Sequence, residues 1–138
     1  MGFTKNIIIE FSQSAGKVWR TINTHGPLTK EELIKNTRLP KKNFYAAIGW
    51  LARENKIYYD NNRYMLGETN LTSEIGTDAG KIWKTLQVWG EIDISSISRL
   101  AKIEEIDAYH ALGWLAREDK LQAKKGRTKQ SPIKFKLK

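Results

Sequence analysis

The peptide Gly-Trp-Leu-Ala-Arg-Glu occurs at residues 49–54 and again, unchanged, at residues 113–118, which is 64 positions later. The same shift aligns Ala-Gly-Lys-Val-Trp at 15–19 with Ala-Gly-Lys-Ile-Trp at 79–83, and the alignment between these blocks needs no gap. Self-similarity at a fixed spacing is the sequence signature of a repeated structural unit. The chain is therefore predicted to consist of two copies of one unit.

Two repeats in 138 residues make two small domains, predicted as residues 1–70 and 71–138. A domain of this size buries only about 60% of the surface of its unfolded chain, and its stability alone is marginal. We therefore expect the two repeats to pack on each other.

Each repeat shows three helical patterns followed by two short strands. In the first repeat, a capping box at Thr29 and Glu32 and a proline at position 40 mark two helix starts. The predicted elements there are helices over 14–24, 29–36 and 40–55 and strands over 57–59 and 64–66. In the second repeat they are helices over 78–88, 94–100 and 104–119 and strands over 121–124 and 133–137. This layout predicts a mainly α (α+β) fold of two tandem winged helix-turn-helix domains, each with three helices and a β-hairpin wing.

The pattern Ala-Gly-x-[Ile/Val]-Trp, followed by Gly-Trp-Leu-Ala-Arg-Glu and Lys-[Ile/Leu], resembles a small winged helix-turn-helix domain family found in archaea and bacteria. The resemblance covers nearly the whole chain, and it implies the fold together with a DNA-binding or regulatory role. Two parts of the sequence depart from the family's pattern, namely the N-terminal leader and the long basic wing of the second repeat.

The net charge of +9, from 24 basic and 15 acidic side chains, favours a polyanionic partner such as nucleic acid. The charge is unevenly distributed. Residues 1–70 carry 11 basic and 6 acidic side chains, residues 71–119 carry 5 and 9, and residues 120–138 carry 8 and none. The two repeats are therefore not electrically equivalent.

The third helix of the first repeat carries residues that we expect to contact DNA. With Phe44, Ile48 and Leu51 facing the core, a helical wheel turns the opposite face toward solvent, and in helix-turn-helix proteins this face enters the major groove. Cations on the first helical turn are disfavoured by about 0.3–1 kcal/mol each, which fits a phosphate-binding helix end, although simple solvation is the alternative. The predicted contacts on this helix are Lys41, Lys42, Asn43, Tyr45 and Arg53.

The third helix of the second repeat begins with Glu104, Glu105 and Asp107, which would repel phosphate. We expect this helix to contact protein, either the other repeat or a second subunit. The predicted protein-interface residues are Trp50, Ile106, His110 and Trp114. For the two tryptophans, packing under the wing or against the other repeat is favoured over stacking on a base.

The wing of the second repeat contains a loop with basic and no acidic residues, followed by a strand in which Ile133, Phe135 and Leu137 alternate with lysines. Alternation places those lysines on one face. Such a wing can lie along a phosphate backbone or in a minor groove, and the alternative is that it protects an exposed sheet edge. The predicted nucleic-acid contacts of this wing are Lys124, Lys125, Arg127, Lys129, Lys134, Lys136 and Lys138.

The sequence offers no pattern typical of an enzyme. It has no cysteine, no phosphate-binding loop and no nucleophile elbow, and His25 and His110 lack companions at metal-ligand spacing. We expect no cofactor, no metal and no small-molecule substrate. The apolar patch before Glu10 is too short for a signal peptide or a membrane span, so the expected location is the cytoplasm, at the nucleoid.

These patterns predict a double-stranded DNA-binding protein, either a transcriptional regulator or a chromatin-associated factor. The alternative is a protein–protein interaction scaffold of the tandem winged-helix type, with a protein partner or a second copy of the chain.

Overall fold

The computed structural model describes residues 6–138, which form two winged units. The first repeat contains helices α1 (Ile7–His25), α2 (Lys30–Thr37) and α3 (Lys41–Arg53), then strands β1 (Ile57–Asp60) and β2 (Arg63–Leu66). The second repeat contains α4 (Thr72–Trp89), β3 (Ile92–Asp93), α5 (Ile94–Ala101), α6 (Glu105–Arg117), β4 (Leu121–Lys124) and β5 (Lys134–Leu137). The predicted order of three helices and a hairpin is confirmed in both repeats, and so is the mainly α fold class.

The first helix of each repeat begins earlier than the sequence pattern predicts. α1 starts at Ile7 rather than at residue 14, because the side chain of Asn6 accepts a hydrogen bond from the Ile8 amide at 2.8 Å and caps the first turn. α4 starts at Thr72 rather than at residue 78. The part of the N-terminal leader that precedes Asn6 lies outside the described residues.

Different residues cap the second helix of each repeat. Thr29 and Glu32 form the predicted capping box, with Glu32 N donating to Thr29 Oγ1 at 3.1 Å and Thr29 N donating to Glu32 Oε1 at 2.9 Å. The hydrogen bond from the Thr29 amide lowers the pKa of Glu32. In the second repeat, Asp93 caps α5 by accepting a hydrogen bond from Ser96 N at 2.9 Å. Each cap stabilises its helix by about 1 kcal/mol, so the helix-turn-helix is preserved although the capping residues differ.

The two wings differ mainly in the connection between their strands. β1 and β2 are joined by Asn61 and Asn62, both with positive φ, which is the geometry of a tight two-residue hairpin turn. β4 and β5 are joined by the long loop 125–133, and β5 also pairs with β3. Along β5, Phe135 is buried while Lys134 and Lys136 are exposed, as the alternation predicts.

Each hydrophobic core contains residues from both repeats. The core of the second repeat includes Ile7 and Phe11, from the first turns of α1. The core of the first repeat includes Ile75 of α4, which lies 64 positions after Phe11. The predicted boundary at residue 70 separates the two repeats along the sequence, but each hydrophobic core crosses that boundary.

Among residues 6–138, no helix has both the length and the apolar character that crossing a membrane requires.

Candidate nucleic-acid interface

The third helices of the two repeats, α3 and α6, cross with their backbones in contact. A Cβ atom built on Gly49 would overlap the carbonyl oxygen of His110, and one built on Gly113 would overlap that of Ala46. Ala46 and His110 are also 64 positions apart, so the two contacts are equivalent. A side chain at either glycine would push the helices apart.

Two ion pairs at the ends of these helices are also equivalent to each other, because each joins an arginine of one repeat to a glutamate of the other. Arg53 Nε lies 3.1 Å from Glu118 Oε2, and Arg117 Nε lies 2.9 Å from Glu54 Oε2. Each repeat thus contributes the glycine, the arginine and the glutamate of its Gly-Trp-Leu-Ala-Arg-Glu peptide to a contact with the other repeat. Mutual contacts of this kind define a two-fold symmetric dimer, and here one chain provides both halves.

The α3–α6 contact involves three of the predicted DNA contacts, two of which are buried. Asn43 is 7% exposed and Tyr45 is 8% exposed, and the Tyr45 ring lies edge-on to the ring of His110 with centroids 5.7 Å apart. The guanidinium of Arg53 pairs with Glu118 and lies 5.7 Å from the Trp114 ring. Asn43 and Tyr45 therefore do not form the expected exposed face, because that side of α3 is packed against the second repeat, whereas Arg53 is exposed and its guanidinium pairs with Glu118.

The sequence contained a signal for this contact. A glycine in the interior of a helix makes the helix less stable than an alanine would, by about 0.5–1 kcal/mol. A glycine that is kept there despite this cost often allows another part of the backbone to pack closely against the helix. Gly49 and Gly113 occupy the same position in both third helices, inside the peptide that repeats without change.

Three of the four predicted protein-interface residues lie between the repeats. Trp50 and Trp114 pack against both hydrophobic cores. His110 lies against Tyr45; its Nε2 atom is buried and has no hydrogen-bond partner among the described residues, and burial lowers the pKa of His110 to about 4. Ile106 lies apart from this group, in the first turn of α6, and is 41% exposed.

Cations from the two repeats come together at the start of α3. Lys42 in the first turn of α3 and Lys125 and Lys129 in the loop of the second wing line one cavity of about 360 Å³. Lys41 is the exposed neighbour of Lys42. Pro40 provides no side-chain cap, so the first amides of α3 keep the positive end of the helix dipole without a capping acceptor. We call these four lysines the basic edge.

The other cations of the second wing extend this surface. Lys124, Arg127 and Lys134 line a shallow cavity together with Lys125, and Glu91 is the acidic residue on its wall. Lys136 is exposed on the outer face of β5. Lys138 differs from these, because its Nζ atom lies 2.6 Å from Asp119 Oδ1.

The start of α6 occupies the position equivalent to the start of α3 and has the opposite character. Glu105, Ile106 and Asp107 are exposed there, and we call these three residues the acidic edge. Burial raises the pKa of the neighbouring Asp78, and the charge of Asp107 adds to the rise. Among residues 6–138, no cluster of His, Asp and Glu side chains is arranged to hold a metal ion.

Comparison with known protein families gives the same match twice. A family model described as a winged helix-turn-helix domain (DUF2582) matches residues 5–67 and again residues 68–132. Comparisons with curated proteins and with solved structures give no match.

Proposed function

The chain belongs to the winged helix-turn-helix domain family in both of its repeats, and from this premise we propose that it binds double-stranded DNA through the basic edge and the second wing. The observation that carries the proposal is the convergence of Lys42, Lys125 and Lys129 on one cavity, although they come from different repeats. Lysine side chains beside an uncapped helix start favour phosphate binding.

This mode of DNA binding differs from the insertion of a recognition helix into the major groove. The face of α3 that would read bases is packed against α6, and the start of α6 is acidic. The contacts that remain are with the phosphate backbone and, for the wing loop, with a groove of the duplex. Backbone contacts position a protein but carry little sequence information, which favours a chromatin-associated factor of the nucleoid over a sequence-specific regulator.

The test is a fluorescence-anisotropy titration of labelled duplex DNA at several salt concentrations. With about six phosphate contacts, affinity is expected to fall about a thousandfold between roughly 50 and 200 mM salt. The double variant Lys125→Ala/Lys129→Ala should bind more weakly, and its slope of log affinity against log salt should be smaller by about 2. Random-sequence competitor DNA separates the two classes of DNA-binding protein, since an architectural factor is displaced completely and a sequence-specific regulator is not.

The matched control is Arg20→Ala/Lys84→Ala, which removes two cations at positions 64 residues apart in α1 and α4, and both positions are exposed. Its affinity and salt slope should stay close to those of the unchanged chain. Equal losses in the two double variants would show that total charge, and not the basic edge, determines binding. Absence of binding at the lowest salt concentration would refute the proposal altogether.

A protein-interaction scaffold is the second candidate, and the end of α4 favours it. Val88 is 76% exposed and Trp89 is 59% exposed, whereas the first repeat has Thr24 and His25 at the equivalent positions. Exposed apolar side chains that occur together commonly mark a contact with another protein. Affinity capture with the unchanged chain and with Trp89→Asp, both washed at high salt, tests this role: a partner retained by the first bait and lost with the second supports the scaffold.

A further inference from the structure

The cavity at the basic edge has the size and the position of a small-molecule site. Its volume of about 360 Å³ lies within the range of about 300–1,000 Å³ that is usual for ligand pockets. It lies where the start of α1, the start of α3 and the loop of the second wing meet, so both repeats contribute to its wall. Junctions between domains are common places for such sites.

One wall of the cavity contains a carboxylate oxygen without a partner. Glu10 of α1 lines the cavity, and its Oε2 atom is buried and makes no hydrogen bond to the described residues. A buried acceptor that loses its hydrogen bond to water is destabilising by about 1–3 kcal/mol, and by more when it is charged. Position 10 is therefore suited to a donor that residues 6–138 do not supply.

The equivalent glutamate of the second repeat shows that this burial is specific to one side. Glu74 lies 64 positions after Glu10, at the same place in α4, and it is exposed. The wings differ in the same sense, because residues of the loop 125–133 line one cavity with Glu10, whereas the first wing has only the tight turn at Asn61 and Asn62. The internal symmetry thus provides a matched site at which the same residue remains in water.

The remaining walls supply two further kinds of contact. Lys42, Lys125 and Lys129 provide cations, which favour an anionic group. Ile7, Phe11 and Phe135 are buried and form an apolar wall. A ligand that satisfies all three features carries a cationic donor for Glu10, an anion for the lysines and an apolar body.

We propose that this cavity binds a small zwitterion with an apolar side chain, the chemistry of an apolar α-amino acid. The ammonium group donates to Glu10 Oε2, the carboxylate pairs with the lysines, and the side chain packs on Phe11 and Phe135. A simple organic anion would leave Glu10 without a donor and would bring a second negative charge to it. A simple amine would place a cation beside three lysines without an anion to pair with them.

The site has a consequence for DNA binding, which rests on the proposed function. The ligand carboxylate and a DNA phosphate use the same lysines, so the two are expected to compete. Because coupling between two binding events is reciprocal, DNA should weaken ligand binding by the same factor by which the ligand weakens DNA binding.

The test is a titration of the ¹⁵N-labelled full chain with L-phenylalanine in the absence of DNA, followed by amide chemical shifts. Saturable shifts are expected at the cavity residues, including Glu10, Lys42 and Tyr109. Three analogues each delete one group: N-acetyl-L-phenylalanine lacks the ammonium, 2-phenylethylamine lacks the carboxylate, and glycine lacks the side chain. Each should bind at least about tenfold more weakly, since one charge-assisted hydrogen bond or one buried apolar group contributes that much.

Two variants that each remove one charge show which wall of the cavity binds which group of the ligand. Glu10→Gln should weaken L-phenylalanine about tenfold and abolish the preference for it over its N-acetyl analogue, because the carboxylate partner of the ammonium is gone. Lys129→Gln should reduce the preference for L-phenylalanine over 2-phenylethylamine. The control Glu74→Gln should leave every affinity unchanged.

Three outcomes would overturn the proposal: no saturable shifts at the cavity residues, an ammonium preference that survives in Glu10→Gln, or equal effects of Glu10→Gln and Glu74→Gln. Because no DNA is present in these titrations, failure of the ligand site and failure of the proposed DNA binding are separate results.

Discussion

The basic edge and the acidic edge are equivalent positions of one symmetric scaffold, yet they present opposite surfaces. At the basic edge, Lys42 lies in the first turn of α3, and the long loop of the second wing lines one cavity with Lys42 and Glu10. At the acidic edge, Ile106 takes the place of Lys42, and the equivalent Glu74 is exposed. The two copies share the glycines and the ion-paired residues that join them, whereas the starts of their third helices, which meet solvent, differ. This difference between the helix starts favours the basic edge as the binding surface.

The residues that stayed the same are those whose replacement would separate the helices. Gly49 and Gly113 allow backbone contact, and the flanking ion pairs hold both ends of the crossing. Substitutions at this crossing and at the two edges should therefore differ in the size of their effects.

Gly49→Ala should lower the free energy of unfolding by about 4 kcal/mol, because the added methyl group overlaps the backbone at His110 and neither helix can yield alone. Urea denaturation followed by tryptophan fluorescence measures the change. The control is Gly80→Ala in α4, where nothing lies within 4 Å of an added Cβ and the position is exposed. That variant should be more stable by about 0.5–1 kcal/mol, and a loss in both variants would argue against the crossing.

Acid should destabilise the fold through His110. Its pKa is about 4 in the folded chain against 6.5 for an ordinary histidine, because burial disfavours the charged form; nearby Lys30 lowers it further and Asp107 opposes the shift. The unfolded chain therefore binds this proton first, and the unfolding free energy should fall by about 3 kcal/mol as pH decreases from about 6.5 to about 4.

The contribution of His110 is the part of this fall that disappears when His110 is replaced, because carboxyl groups also titrate. The lowered pKa values of Glu32 and Asp93 act in the same direction at lower pH, and the raised pKa of Asp78 acts in the opposite direction. Urea denaturation at closely spaced pH values measures it. His110→Gln should remove most of the slope, whereas His25→Gln should leave it intact, because His25 is exposed. A slope that persists in His110→Gln would contradict the burial of His110.

Charge changes at the two helix starts should affect DNA binding unequally. Lys41→Glu/Lys42→Glu should weaken duplex binding at least about tenfold, since two phosphate contacts become repulsive. Glu104→Ala/Glu105→Ala should change the affinity less than about twofold, because the start of α6 lies outside the proposed surface. Anisotropy titrations at one fixed salt concentration compare them, and equal effects would remove the distinction between the edges.

The reciprocal ion pairs should give the smallest effect. A double-mutant cycle on Arg53 and Glu118 is expected to give a coupling of about 0.5 kcal/mol, because the arginine is nearly half exposed. The cycle on Arg117 and Glu54 should give the same value within error if the two-fold relation holds in solution. Unequal coupling energies would mean that the two ion pairs are not equivalent in solution.

The sequence predicted the fold well because its signals were local. The capping box at Thr29, the proline before α3 and the alternation along β5 each act within a few residues, and each appears in the structure where the pattern indicated. The early start of α1 was missed because Ile7 to Ile9 form a run without helical periodicity, although Asn6 is a standard cap.

The candidate site was harder to predict because it depends on contacts between distant residues. A helical wheel assigns one inward face to a helix, and α3 has two, one toward its own core and one toward α6. For that reason Asn43 and Tyr45 resembled a reading face although both are buried. The cavity that Glu10 lines is likewise formed in part by a loop more than one hundred positions away in the chain.

The two halves that cross at Gly49 and Gly113 belong to one polypeptide, so two constraints that apply to ordinary dimers do not apply here. A dimer of identical subunits dissociates on dilution, whereas these halves share one polypeptide and remain at a high effective concentration at any dilution. Identical subunits must carry every substitution twice, so a favourable change on one side is always accompanied by its copy on the other. In a fused pair, lysine can replace isoleucine at one edge alone.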